Sequence, residues 1–211
     1  YRKSGNMLMS SNISKWINSK KEIIIAERNK KEEEEEKKVI PSKPKPRYTP
    51  SPLNQIEPFP IYEGDEVYTG SGFIINDGKH IVTNRHVIEG AERLFVRNGL
   101  GELRVAKVEK VSEYDDLALL SLDRPYDPIF ALSIPDNYKL RTGQAALVMG
   151  FPLASSLGDS SPSLTQGIVS KVTGFRDDIG TFQLTAKSNK GNSGGPIFSD
   201  TGELIGVAVL K

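Results

Sequence analysis

A serine set among glycines stands in the segment Gly191-Asn192-Ser193-Gly194-Gly195-Pro196. A serine hydroxyl is a weak nucleophile at its own pKa and needs a neighbouring base. Acyl transfer also needs donors aimed at the oxygen that becomes negative. Glycine admits backbone turns closed to other residues, so the amides of Gly191 and Ser193 could converge on one point. Losing one such donor typically costs roughly 2.7–4 kcal/mol of transition-state stabilisation. Taken alone, the segment also fits an ordinary tight β-turn.

The candidate base is His86, in Thr83-Asn84-Arg85-His86-Val87, just after the apolar pair Ile81-Val82. An imidazole titrates near neutral pH, as general-base work requires. A structural histidine would sit equally well at a strand end. His80, before the same apolar pair, reads as a turn-edge residue and receives no role. The candidate acid lies in Asp115-Asp116-Leu117-Ala118-Leu119-Leu120. A carboxylate at the mouth of an apolar strand can orient an imidazole and stabilise its charged form. It can also merely cap the strand, and position alone does not choose between Asp115 and Asp116.

The three segments together are more specific than any one. They run His, Asp, Ser, the order of chymotrypsin-type enzymes and not that of subtilisin or the α/β-hydrolases. The gaps of 30 and 77 residues put base and acid in one half of the region and the nucleophile in the other. Residues 66–211 resemble the trypsin-like peptidases of the bacterial HtrA/Deg group. The matching segments are Gly70-Ser71-Gly72-Phe73-Ile74-Ile75, Thr83–Val87, Asp116–Leu120, Gly150-Phe151-Pro152-Leu153, Thr165-Gln166-Gly167-Ile168-Val169-Ser170 and Gly191–Pro196.

This resemblance implies a triad of His86, Asp116 and Ser193, since the family's acid directly precedes the Leu/Ile-Ala strand. It implies an oxyanion hole from the Gly191 and Ser193 amides, endopeptidase action on protein or peptide substrates, and no cofactor or metal. It implies an all-β fold of two perpendicular six-stranded barrels with the site in the cleft between them. It also suggests an extracytoplasmic or periplasmic setting; a membrane-associated or a cytoplasmic one stays open. The family's PDZ domain and its N-terminal trimerisation element find no counterpart here, so the oligomeric state is undetermined.

Three further residues are candidates for substrate contact. Lys187, six before the nucleophile, would select acidic side chains if it pointed into the primary pocket. The solvent-facing alternative, with a small apolar pocket, is preferred. Val209 and Leu210 belong to a segment expected to pair with bound peptide by strand addition. The rival to catalysis is a latent form, or a protease-like module or chaperone that holds peptides without cutting them.

The elements that must position these residues follow from patterning. From residue 61 short apolar segments recur between Gly, Asp and Asn turns, the pattern of an all-β barrel or sandwich. They include His80–Thr83, Leu94–Val96, Ala145–Val148 and Leu204–Val209, without long helical periods. The domain reading is a charged helical extension over 1–40, a Pro-rich linker over 41–60 and a peptidase domain over 61–211. Barrel 1 would span about 61–135 and barrel 2 about 143–211, the latter lacking its closing strand and so exposing an edge. Something is also expected upstream of Tyr1.

Composition excludes several alternatives. There is no Cys, hence no disulfide framework, thiolate metal site or cysteine nucleophile. With two His, a histidine-rich metal site is equally disfavoured. No apolar run approaches the roughly 18–20 residues that span a bilayer. Residues 12–38 read as one helix with Ile13, Trp16, Ile17 and Ile24 on a narrow stripe. Residues 41–60 hold 7 of the 13 prolines and read as an extended spacer. The first fifty residues carry 13 basic and 7 acidic side chains, the rest 15 and 20. Such an arm suits a tether to a membrane protein or multiprotein assembly; nucleic acid is not an expected partner.

Overall fold

The computed structural model describes residues 59–152 and 161–210, together with the main chain of 6–9. The expected helix over 12–38 and nearly all of the 41–60 linker lie outside the described residues. The described chain is built of antiparallel strands, with one short helix and two 3₁₀ turns.

In chain order the strands are β1 (Asn6–Met9), β2 (Phe73–Ile75), β3 (His80–Thr83), β4 (Leu94–Arg97), β5 (Leu103–Val111) and β6 (Ala118–Leu122). There follow β7 (Ala145–Gly150), β8 (Ser163–Lys171), β9 (Thr181–Leu184), β10 (Pro196–Ser199) and β11 (Leu204–Val207). The helix α1 (Arg85–Ile88) sits directly after β3. The first sheet has the order β2-β3-β6-β5-β4. Where six strands are expected it has five, plus a bridge from Ile75 to Leu132. The second sheet closes into a six-stranded barrel, β1-β11-β10-β7-β8-β9.

The open edge expected in the second barrel is therefore filled, and by an unexpected segment. Leu8 and Met9 pair with Val207 and Gly206 on one side, while Asn6, Met7 and Leu8 pair with Gln183, Phe182 and Thr181 on the other. An unpaired strand edge offers main-chain donors and acceptors that any extended segment can satisfy. A strand from a charged arm leaves little trace in side-chain pattern for that reason.

Successive side chains on a strand face opposite sides, and this alternation divides the apolar residues into three clusters. Ile81, Ala118, Leu120, Leu122 and Tyr126 fill the first barrel. Val148, Val169, Phe182, Leu184, Ile197 and Ile205 fill the second. Phe73, Val82, Leu117 and Leu119 meet Leu204, Val207 and Val209 between the sheets. Both faces of β3 and β6 are thus covered, which is why these strands read as unbroken apolar runs.

Tyr126 anchors the first barrel. It is buried, and its hydroxyl lies 2.7 Å from the Val96 carbonyl and 3.0 Å from that of Glu102. Burial pushes its phenol well above the ordinary range. The Arg104 guanidinium lies 4.7 Å from the ring centre. Tyr126→Phe keeps the ring but removes the hydroxyl's hydrogen bond to these carbonyls, at an expected cost of about 1 kcal/mol. Urea unfolding measures this; an unchanged midpoint would exclude the hydroxyl as an anchor.

Candidate active site

His86 lies on α1, whose first turn is displaced from β3 by the single residue Asn84. Asn84 occupies the N-cap position yet makes no cap bond. Its side-chain amide instead donates to the Asp116 carbonyl at 2.8 Å. The carboxylate of Asp116 faces His86 at two points. Oδ1 accepts the His86 main-chain N–H at 3.0 Å, and Oδ2 lies 2.6 Å from Nδ1. Asp116 is 6% exposed. A buried carboxylate with these partners fixes both the ring plane and the tautomer, with the proton on Nδ1 and Nε2 left as acceptor.

Its neighbour Asp115 makes no such contact. Its main-chain N–H donates to the Ser112 hydroxyl at 3.1 Å. Burial raises its carboxyl pKa, and the negative charge of Asp178 acts in the same direction. Of the two adjacent acids, geometry puts only Asp116 against the imidazole.

Ser193 comes from the other sheet, on the turn that leads into β10. It is 6% exposed. Its Oγ accepts the Leu210 N–H at 3.2 Å, and it has no hydrogen bond to His86. The nucleophile turn nevertheless abuts the histidine segment. A Cβ placed on Gly194 would lie 3.1 Å from the Asn84 nitrogen, 2.1 Å from the Ser71 carbonyl oxygen and 2.4 Å from Thr83 Oγ1. Gly194 also has φ +86°, where an L side chain is strained. Strain and overlap together predict that Gly194→Ala loses at least about 2 kcal/mol of stability. Thermal or urea unfolding is the measurement; a loss under about 0.5 kcal/mol would mean the turn is looser than described.

The turn's amides divide into two sets. The amides of Asn192, Gly194 and Gly195 donate to the carbonyls of Asn189, Ala208 and Asn192 at 3.1, 2.8 and 2.9 Å. The amides of Gly191 and Ser193 have no acceptor among the described residues. Gly191 has φ +96°. The two amides assigned to an oxyanion are the two the fold does not engage.

The substrate candidates are placed as follows. Lys187 is exposed. Val209 is buried at 3% in the cluster between the sheets, and Leu210 is half-buried with its amide on Ser193. The segment 208–210 lies beyond the end of β11; there the Ala208 N–H donates to the Gly195 carbonyl and the Ala208 carbonyl accepts the Gly194 N–H, each at 2.8 Å. Sequence reasoning assigned nothing to three residues that hold this site: Ser71, Thr83 and Asn84. All three lie inside segments that carried the resemblance, but a hydroxyl or amide beside a motif has no pattern that reveals its partner.

His80 stands at the turn edge, as its sequence position suggested, and is the first residue of β3. It is buried, with Nδ1 3.1 Å from Asp77 Oδ1 and Nε2 3.1 Å from Glu109 Oε2. It ties the β2–β3 turn to β5, away from the triad.

Fold and site together define a chymotrypsin-type arrangement, two β-barrels with His and Asp on one and Ser on the other. The chain belongs to the trypsin-like peptidase domain family, whose pattern matches residues 70–207. Among curated relatives, an uncharacterized protein y4bJ of Sinorhizobium fredii is 34% identical over 169 residues, 79% of this chain and 26% of its own length. A probable periplasmic serine protease do/HhoA-like of Haemophilus influenzae is 38% identical over 146 residues, 65% of this chain and 30% of its own length. Among solved structures, a serine endoprotease from Yersinia pestis superposes with a TM-score of 0.55 at 35% identity, over 65% of this chain and 47% of that one. The chain spans under a third of the length of these curated relatives.

Proposed function

We propose that this chain is the catalytic part of a serine endopeptidase that cleaves unfolded or flexible protein segments through an acyl-enzyme. The observation that carries the reading is the two-point grip of Asp116 on His86, beside a serine turn with two unengaged amides.

In the reaction Ser193 Oγ adds to the scissile carbonyl carbon while His86 Nε2 takes its proton. The imidazolium so formed faces the Asp116 carboxylate. The oxygen that becomes negative accepts from the Gly191 and Ser193 amides. The C–N bond then breaks as His86 gives the proton to the departing amine, leaving an ester on Ser193. Water, deprotonated by His86, adds to that ester and releases the acid with the hydroxyl restored. Ser193 must first turn from the Leu210 amide toward Nε2, an adjustment of the kind that substrate binding brings about in such sites.

Fluorophosphonate labelling of the full chain tests this, with a peptide library reporting the cleaved positions. Labelling at Ser193 and cleavage without enrichment of Asp or Glu are expected, the latter because Lys187 is exposed. The absence of a bond between His86 and Ser193 favours one second reading, a latent enzyme that a bound peptide switches on. Labelling that appears only with added peptide would select it; peptide binding with no labelling at all would select the non-cleaving module. The name of the Haemophilus relative supports an extracytoplasmic location, which recovery with cytosolic markers on fractionation would overturn. Among the described residues no helix is long and apolar enough to cross a membrane.

A further inference from the structure

The peptide unit that carries the Ser193 N–H lies between two others, and one residue of the opposite sheet touches both. Ser71 is 5% exposed and stands just before β2. Its hydroxyl donates to the Gly191 carbonyl at 2.5 Å and accepts the Phe151 N–H at 2.8 Å. Its main-chain N–H donates to the Ser193 carbonyl at 2.8 Å. Its own carbonyl accepts from Thr83 Oγ1 at 2.7 Å, three residues before His86. The hydroxyl thus holds the 191–192 peptide and the amide holds the 193–194 peptide. The intervening 192–193 peptide, whose carbonyl takes the Gly195 N–H, is left with one orientation.

Resting on the peptidase reading above, we infer that Ser71 is a positioning residue: its hydroxyl keeps the Gly191–Ser193 turn in the shape that leaves both oxyanion donors free. Gly191 makes such a residue necessary. At φ +96° and without a Cβ, it opposes no rotation of the peptide that follows it. Once the carbonyl of Gly191 is released, only the Asn192 N–H on the Asn189 carbonyl, at 3.1 Å, still holds that peptide, and as it tilts its neighbour's amide moves with it. Ser71 touches neither nucleophile oxygen nor imidazole, so its effect falls on stabilisation of the charged oxygen and not on proton transfer. Through Thr83 the same residue joins the turn of one sheet to the histidine segment of the other.

The test is Ser71→Ala in the full chain, assayed on a peptide substrate and on a peptide boronate whose tetrahedral oxygen occupies the oxyanion position. The loss of a whole oxyanion donor costs about 10²–10³ in kcat, so loosening the turn is expected to cost about 10–10². KM should stay within about threefold, and boronate affinity should fall in step with kcat while affinity for the cleaved product peptide does not. A merely structural serine would lower all of them together through the folded fraction. Equal kcat in a folded Ser71→Ala and the wild type overturns the inference and leaves the peptidase reading standing. A wild-type chain that neither labels nor cleaves, with or without peptide, removes that reading and this inference with it. Where Ser71→Ala does not fold, Ser71→Cys, with a weakly donating thiol of similar size, carries the same test: about a tenfold loss in kcat supports the role and wild-type kcat overturns it.

Discussion

Ser193→Ala is expected to remove peptide hydrolysis and fluorophosphonate labelling while leaving the fold intact. The size of the effect follows from what the residue does. Without Oγ there is no atom to carry the acyl group, and the remaining site can only polarise a bound carbonyl toward water. In a serine peptidase whose triad acts as one unit, removing the nucleophile lowers kcat by about 10⁶. The stability cost should be small. Oγ accepts one main-chain N–H, from Leu210, and such a bond contributes about 1 kcal/mol. Near-wild-type thermal unfolding with no turnover is therefore the expected pair of results. Cleavage by the Ala variant at even a hundredth of the wild-type rate would assign the nucleophile to another residue.

Asp116→Asn is expected to lower kcat by about 10⁴, the effect of misorienting and mis-tautomerising the histidine in this class of site. The carboxylate accepts twice from His86, from the main chain at 3.0 Å and at Nδ1 at 2.6 Å. A carboxamide has one acceptor and one donor end. If its oxygen serves the main-chain N–H, its NH₂ faces Nδ1. The imidazole must then carry its proton on Nε2, where it cannot take one from Ser193. If the amide is reversed, the N–H of His86 meets a donor and α1 shifts. Either outcome disables the base. Steady-state kinetics on variants checked by circular dichroism gives the number. An Asp116→Asn chain within tenfold of wild type, or an Asp115→Asn chain that is worse, would move the acid to the neighbouring residue.

Much of this was legible before any coordinates. The apolar runs 81–82, 117–120, 145–148 and 204–207 announced strands because tertiary packing covers both of their faces, so no polar alternation interrupts them. Four strands went unread. In β5, Val105, Val108 and Val111 are exposed and stand among Arg, Lys and Glu, so the strand lacks an apolar face. The segments that became β9 and β10, Thr181–Leu184 and Pro196–Ser199, each interrupt their apolar residues with polar ones or a proline and so show no apolar run. β1 was unreadable for a different reason: its place depends on two strand edges almost two hundred residues away.

The candidate site divides along the same line. Residue type and order alone determined which groups could act, since only one kind of chemistry needs a glycine-set serine, a histidine after a strand and an acid before one. The family resemblance had already named Asp116 and the amides of Gly191 and Ser193; the distances that set Asp116 against the imidazole, and the contacts of Ser71 with the serine turn, came only from the folded chain. Hydrogen bonds are directional and short, so these facts depend on ångström-scale meetings between residues as far apart as 71 and 191. A linear pattern records what a residue can donate or accept, whereas its partner is fixed only when two sheets pack face to face.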